Sequence, residues 1–334
     1  MTFDERFCGS RRRVVVGGLA ATAGLLAGPA VRAQGAAGFP NKPIRIVVPY
    51  AAGGGADGNA RLLAQAMGPL LGQTLVIENK PGASGIIAAQ SVVQSPADGY
   101  TLLFDTFPYA VNAVLRKLPF DPVKDLLPVS QAINMPNLLV VPASAPYKTL
   151  KELVDFAKAH PGQLNYASYG AGGTAHLAAE LLRREAGIDW VHVPYKGGAP
   201  AITDLLAGQV SAYFANPVSG LSYVQAGRLR ALATTGPRRM AALPQVPTFQ
   251  ESGYPNFEVL EWNGFFAPAG TPPAIVDRLA QVVREATRAP EVQQRLAALG
   301  IDAVGSTPKE FASFLQGQIS RWGALVKAAH ITVD

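Results

Sequence analysis

Two short stretches of the chain place glycines where backbone amides could grip an anion. Pro49-Tyr50-Ala51-Ala52-Gly53-Gly54-Gly55-Ala56-Asp57 follows the β-branched run Ile44–Val48, and Ser168-Tyr169-Gly170-Ala171-Gly172-Gly173-Thr174 follows Leu164–Ala167. Each leads into a segment with helical spacing, one from Arg61 and one from Thr174. Glycine lets backbone approach a ligand closely and adopt positive φ. The first amides of a helix have no internal partner, and the dipole makes that end positive. Each strand–loop–helix unit is therefore a candidate anion site. Two of them suggest two lobes that hold the ends of one acidic ligand. The plainer reading is a pair of tight βα turns, although three consecutive glycines exceed what a turn requires.

Other chemistries are thinly represented. Gly53-Gly54-Gly55-Ala56-Asp57-Gly58 fits G-x-G-x-x-G, with Glu78 closing a later strand, which is a dinucleotide fingerprint on paper. Pro49 through Ala52 intervene between strand and glycines, which moves the turn away from the sheet edge. There is no G-x-S-x-G elbow, no H-E-x-x-H and no pair of His at metal spacing among His160, His176, His192 and His330. Ser168 and His176 form a conceivable nucleophile pair without an evident orienting acid. Ligand contact or packing is the simpler role for His176.

The first 33 residues read as an export signal, not as fold. Arg11, Arg12 and Arg13 precede the uncharged stretch Val14 to Ala27, and Val31-Arg32-Ala33 offers a cleavage site after Ala33. Ser10-Arg11-Arg12-Arg13-Val14-Val15 also fits a twin-arginine address, with an ordinary secretory signal as the alternative. Cleavage would remove five Arg and two acids and lower the formal charge from +6 to +3. That mild excess has no Lys/Arg cluster, so nucleic-acid binding is not supported. Cys8 is the only cysteine and would leave too, so neither a disulfide nor a thiolate metal site is expected.

Alternating strand and helix patterns place the mature chain in the α/β class. Strands are expected at Ile44–Val48, Leu75–Ile77, Tyr100–Phe104, Leu138–Val141, Leu164–Ala167, Val191–Val193, Val210–Phe214, Leu229–Thr234 and Gly264–Ala267. Helices are expected at Arg61–Leu71, Ile86–Val93, Thr174–Glu185, Ile275–Ala286 and Val292–Leu299. Thr149-Leu150-Lys151-Glu152 and Thr307-Pro308-Lys309-Glu310 are capping boxes that open two more. The second carries Phe311, Phe314, Leu315, Ile319, Trp322, Leu325 and Val326 on one face, a stripe read as core.

The run from Phe39-Pro40-Asn41-Lys42-Pro43 through Val48-Pro49-Tyr50, followed by Gly-Gly-Gly-Ala-Asp, resembles the mature start of the Bug-type receptors. These are the periplasmic binding proteins of tripartite tricarboxylate transporters. Val76-Ile77-Glu78-Asn79-Lys80-Pro81-Gly82-Ala83, Asp98-Gly99-Tyr100-Thr101-Leu102-Leu103, His192-Val193-Pro194-Tyr195-Lys196-Gly197, Val246-Pro247-Thr248 and Ala267-Pro268-Ala269-Gly270-Thr271-Pro272 follow in the same order. The resemblance implies a two-lobed periplasmic-binding-protein fold (type II, Venus flytrap) with two crossings, placed near Val141 and Trp262. Lobe one is then 34–141 plus 263–334, and lobe two 142–262. A monomer without cofactor or metal is implied. It would take a small carboxylic acid (dicarboxylate, amino acid or aromatic acid) and deliver it to membrane permease subunits.

Carried over position by position, the resemblance points to Tyr50, Ala52, Gly53, Gly54 and Asp57 on lobe one. On lobe two it points to Ser168, Gly173, Thr174 and His176, with Thr106 and Asn216 as further candidates. Ala51-Ala52 and Ser211 depart from the commoner family residues, so ligand identity is not carried over. Lys196 and Asp204 match family positions and suit a turn and a helix surface. A sensory receptor would need the same cleft, and an exported hydrolase would use Ser168 and His176.

Overall fold

The computed structural model describes residues 38–195 and 197–331, so the expected export signal lies outside the described residues. Eleven strands among them form two mixed sheets. In chain order the strands are β1 (Ile44–Val48), β2 (Leu75–Asn79), β3 (Thr101–Thr106), β4 (Leu126–Pro136), β5 (Leu138–Pro142), β6 (Leu164–Ser168), β7 (Trp190–Pro194), β8 (Ala212–Ala215), β9 (Leu229–Thr234), β10 (Leu260–Pro268) and β11 (Asp302–Ala303). The helices are α1 (Gly55–Leu71), α2 (Ile86–Val93), α3 (Pro108–Leu115), α4 (Leu150–Ala159), α5 (Thr174–Ala186), α6 (Gly198–Leu206), α7 (Pro217–Gln225), α8 (Pro273–Arg288), α9 (Pro290–Ala298) and α10 (Pro308–Ala328).

The first sheet has the order β11-β4-β10-β3-β1-β2 and the second β7-β6-β8-β5-β9. Strand β1 is parallel to β2 and β3, whereas β10 runs antiparallel to β3 and β4. In the second sheet β6 is parallel to β7 and β8, and β5 is antiparallel to β8 and β9. Both sheets lie in one compact unit.

Side-chain pattern explains the layers. Ile44, Ile46 and Val48 face a core shared with Leu63 and Met67 of α1 and Leu279 and Val283 of α8. Val47 and Leu103 point the other way, toward Phe107, Phe311 and Trp322. This is the alternation of a strand buried on both faces. The stripe on α10 is core as expected, with Phe311, Leu315, Trp322, Leu325 and Val326 buried. The Thr307 box is complete, because Glu310 N–H donates to Thr307 Oγ1 and Thr307 N–H donates to Glu310. At α4 only half the box forms: Thr149 caps Glu152 N–H, but the Glu152 carboxylate takes the amide of Lys148 instead.

The chain leaves the first sheet at Pro136 and enters the second at Leu138, and it returns through Leu260. Three segments are laced together there. Thr235 N–H donates to Asn137 O (2.9 Å) and Asn137 N–H to Thr235 Oγ1 (2.8 Å), while Thr235 Oγ1 donates to Val259 O (2.5 Å). Around the same joint, Asn137 Oδ1 and Nδ2, Thr234 Oγ1 and Trp262 Nε1 are buried without a hydrogen-bond partner among the described residues.

Candidate functional site

The expected residues gather where the parallel strands end. Tyr50 follows β1, Thr106 closes β3, Ser168 closes β6 and Asn216 follows β8. The carboxyl ends of strands in an open α/β sheet are where ligands bind. Because β10 is antiparallel to β3, with Asn263 opposite Thr106, its amino-terminal residues Leu260 and Glu261 reach the same edge.

The first glycine loop is built from its own helix. Helix α1 begins at Gly55, six residues before the expected Arg61, so the third glycine is helical and Gly54 is its extended cap. Gly53 takes a φ of +81°, which favours glycine. Asp57 in the first turn folds back on the loop. Its Oδ2 accepts from Gly53 N–H (2.9 Å) and Arg61 Nε (3.0 Å), and its Oδ1 from Asn79 Nδ2 (2.9 Å). Burial raises the Asp57 carboxyl, but the hydrogen bonds from Arg61, Gly53 and Asn79 outweigh it and hold it below the usual range. Both Asp57 oxygens therefore serve the loop itself, while Ala52, Gly53 and Gly54 are exposed. The dinucleotide pattern dissolves in this geometry: Gly55 and Gly58 lie inside α1, and Glu78 pairs with Arg45 at 2.9 Å.

The second loop is more enclosed than the first, with Tyr169, Gly170 and Ala171 half-buried and Gly172 buried. Gly173 is the extended cap of α5, and Ser168, Gly173, Thr174 and His176 are all shielded from solvent. The Ser168/His176 pair expected for a hydrolase does not form. Ser168 Oγ instead lies 2.7 Å from His192 Nε2, and His176 Nδ1 accepts the Gly172 amide at 3.0 Å. Helical geometry turns His176 back onto its own loop, whereas His192 on β7 lies beside β6, in register with Tyr166. The two imidazoles stack with centroids 4.0 Å apart. Burial pushes both down to about 4, with the neighbouring imidazole adding to the effect on His192, so both are neutral near pH 7.

The loops converge on acidic groups that the sequence reading did not single out. Tyr50 Oη lies 2.7 Å from Thr106 Oγ1 and 3.4 Å from Asp105 Oδ1, which also accepts Thr106 N–H. Tyr169 of the second loop donates to Glu261 Oε2 at 3.2 Å. Burial pushes both Asp105 and Glu261 up to about 7; hydrogen bonds from Thr106 and Tyr50 oppose this at Asp105, and from Tyr169 and Asn216 at Glu261. The Tyr50 hydroxyl is raised by burial and by the charges of Asp105 and Glu261. Asn216 caps α7 by accepting Ser219 N–H (3.0 Å). A Cβ added at Gly55 would lie 3.9 Å from Asn216 Nδ2 and from Val218, so the amino ends of α1 and α7 abut. One at Gly198 would lie 3.2 Å from the Tyr213 hydroxyl and 3.6 Å from Ser219, which brings the start of α6 to the same place.

The arrangement thus joins the first loop (Tyr50, Gly55), the α7 cap (Asn216) and the second loop (Tyr169) around Glu261. Ser168 and His176 lie behind the second loop, in contact with Gly170, Gly172 and His192. Asp105 and Glu261 had a sequence signal: each is a lone acid inside an apolar strand, Leu102-Leu103-Phe104-Asp105 and Val259-Leu260-Glu261-Trp262. Such a residue is rarely buried without a partner or a purpose. No group of three or more His, Cys, Asp or Glu among the described residues could hold a metal ion.

Comparison with known proteins places this architecture. The model of the tripartite tricarboxylate transporter family receptor matches residues 59–331. A protein of a tcbD–tcbE intergenic region in Pseudomonas sp. is 38% identical over 95% of this chain and 94% of its own length. BugT of Bordetella pertussis is 36% identical over 95% and 97%. Among solved structures, a periplasmic transporter superposes with a TM-score of 0.82 at 39% identity, covering 89% of this chain and 100% of that one. An R. palustris protein with adipate gives 0.82 at 35% identity over 88% and 99%. MatC from Rhodopseudomonas palustris, with bound malate, gives 0.78 at 35% identity over 86% and 100%.

Proposed function

Since this chain belongs to the receptor family of the tripartite tricarboxylate transporters, with their two-lobed binding-protein fold, we propose that it captures a small carboxylic acid between its lobes in the periplasm and presents the closed form to membrane permease subunits. The observation that carries this reading is the meeting of the glycine-capped start of α1, the Asn216-capped start of α7 and the second loop, which leads into glycine-capped α5, around one polar centre. Lobe one carries the first sheet, up to Pro136 and again from Leu260, and lobe two carries the second, from Leu138 to Thr234; β5 belongs to the second sheet, so the first crossing lies at Asn137 and not near Val141. The acid's charge goes to the positive amino ends of α1 and α5, beside Gly53 and Gly54 on one side and Gly173 and Thr174 on the other; the Gly53 and Gly173 amides themselves are held by Asp57 Oδ2 (2.9 Å) and Gly170 O (3.2 Å). Tyr50, Ala52, Thr106 and Asn216 complete the wall. Ser168 and His176 shape the second loop from behind, and Asp57 holds the first.

The receptor works as a monomer and without turnover. Ser168 is fully buried, which keeps its hydroxyl from a substrate carbonyl. Relatives solved with adipate and with malate support a dicarboxylate or a related acid as ligand. Hydrogen bonds to a charged group contribute about 1.5–3 kcal/mol each. A handful of them exceeds the ~8 kcal/mol of micromolar affinity and leaves room for desolvation and ordering. Binding on both lobes favours the closed arrangement over the open one.

A thermal-shift screen of dicarboxylates, amino acids and aromatic acids tests the proposal. At a hundred times its dissociation constant, the true ligand adds about 2.7 kcal/mol of stability. A screen in which no small acid raises the melting temperature would overturn it.

A further inference from the structure

We infer that Glu261 is the specificity-determining residue of the crevice, selecting acids that carry a hydrogen-bond donor, an ammonium or hydroxyl group, beside the carboxylate. The inference rests on the receptor reading above and goes beyond it by naming which acids fit.

Glu261 stands at the amino end of β10, the strand by which the chain returns to the first sheet, and it is 9% exposed. The register with β3 brings it past Thr106, to the edge where Tyr50 and the glycine loops lie. It accepts a hydrogen bond from the Tyr169 hydroxyl (3.2 Å), the nearby Asn216 side chain favours its charged form, and Tyr50 and Tyr213 feel its charge. These partners are neutral. Neither Glu261 nor Asp105 forms an ion pair among the described residues, although eight such pairs occur elsewhere in them.

A second acid on a receptor for acids is unfavourable unless the ligand answers it. An ionised carboxylate accepts hydrogen bonds and donates none. A methylene of a plain dicarboxylate placed beside Glu261 leaves its remaining lone pairs unanswered and costs desolvation. An ammonium there forms a charge-assisted hydrogen bond and neutralises the site, and a hydroxyl supplies a weaker one. The ligand's own carboxylates meanwhile stay with the helix amino ends, where the dipoles favour them. Discrimination by an answered versus an unanswered buried polar group is the strong kind.

The test is isothermal titration calorimetry at pH 8 with succinate, malate and aspartate, which share a carbon skeleton and differ in one donor. Wild type is expected to bind aspartate and malate at least tenfold more tightly than succinate. Glu261→Gln should move the two classes in opposite directions, weakening aspartate at least tenfold while leaving succinate equal or tighter. Glu261→Asp, which keeps the charge, should keep the order of preference. A merely structural role for Glu261 would weaken all three acids alike in the Gln variant, and that result overturns the inference while leaving the receptor reading intact. An unchanged aspartate-to-succinate ratio overturns it as well. Failure of the wild type to bind any acid in the wider screen overturns the receptor reading itself, and this inference with it.

Discussion

At the scale of single residues, two buried acids and two buried imidazoles pull stability in opposite directions as pH changes. Glu261 and Asp105 rise from 4.5 and 3.8 to about 7 in the folded chain, through burial. Their contribution is complete below the unfolded values and is lost as pH rises toward 7. His176 and His192 fall from 6.5 to about 4, again through burial. Their contribution is complete above 6.5 and is lost as pH falls toward 4. Between roughly pH 4.5 and 6.5 the two pairs offset each other, so the wild-type melting temperature should be nearly flat there. Glu261→Gln should unmask a stability that rises with pH across this window, and His192→Gln one that falls, each by about 1.4 kcal/mol per pH unit. Melting curves from pH 4.5 to 7.5 measure it; parallel profiles for the three proteins would count against the assignment. Much of this chemistry was hidden in the chain. The glycine loops announced themselves by local spacing. Tyr169 and Glu261 are 92 residues apart, as their hydrogen bond records, and only the packing of two sheets brings them together. His192 was visible as a histidine, but its bond to Ser168 depends on which strand neighbours β6.

At the scale of elements, the cap of α5 carries a steric constraint. Gly173 has an ordinary φ of −75°, so backbone strain does not explain the glycine. A Cβ there would meet Tyr169 Cε2 at 2.9 Å and Gly170 O at 3.3 Å. Gly173→Ala is therefore expected to displace the Tyr169 ring from Glu261. Ligand affinity should drop about tenfold, while the melting temperature changes little, since replacing glycine at a cap by alanine costs ~1 kcal/mol. Calorimetric titration set beside a melting curve separates the two, and unchanged affinity would refute the reading. The elements themselves were unevenly legible. Strands β1 and β9 and helix α2 run where their patterns put them. Strand β4 went unseen because Ser130, Gln131 and Asn134 break its apolar run; Ser130 and Gln131 are satisfied by Ser306, a partner that sequence spacing does not expose. Helices α3, α6 and α7 each begin at or near Pro or Gly, Pro108, Gly198 and Pro217, which read locally as turns. The early start of α1 escaped notice for a related reason. Gly-Ala-Asp-Gly-Asn has poor helix propensity, and tertiary bonds such as Asn59 Nδ2 to Asn263 Oδ1 (2.8 Å) override it.

At the scale of the whole molecule, the joint between the sheets is expected to limit how far the lobes open. Thr235 ties both crossings, accepting from Asn137 N–H and donating to Val259 O. Thr235→Val keeps the shape and removes both bonds, at a cost of about 1–3 kcal/mol for the amide left buried. The unliganded variant should be more open, with a larger radius of gyration in small-angle X-ray scattering, and ligand should restore compactness. Equal scattering for variant and wild type without ligand would show that the lacing does not limit opening. The unanswered polar atoms of Asn137, Thr234 and Trp262 give that joint a further property. In most cores, bending a backbone breaks hydrogen bonds and wets oily surface, so motion is resisted twice over. Here the four idle atoms reverse part of that sum: a bend that wetted them would return some of the free energy it spends. On the receptor reading proposed above, a ligand that keeps the two halves together has that return to outweigh.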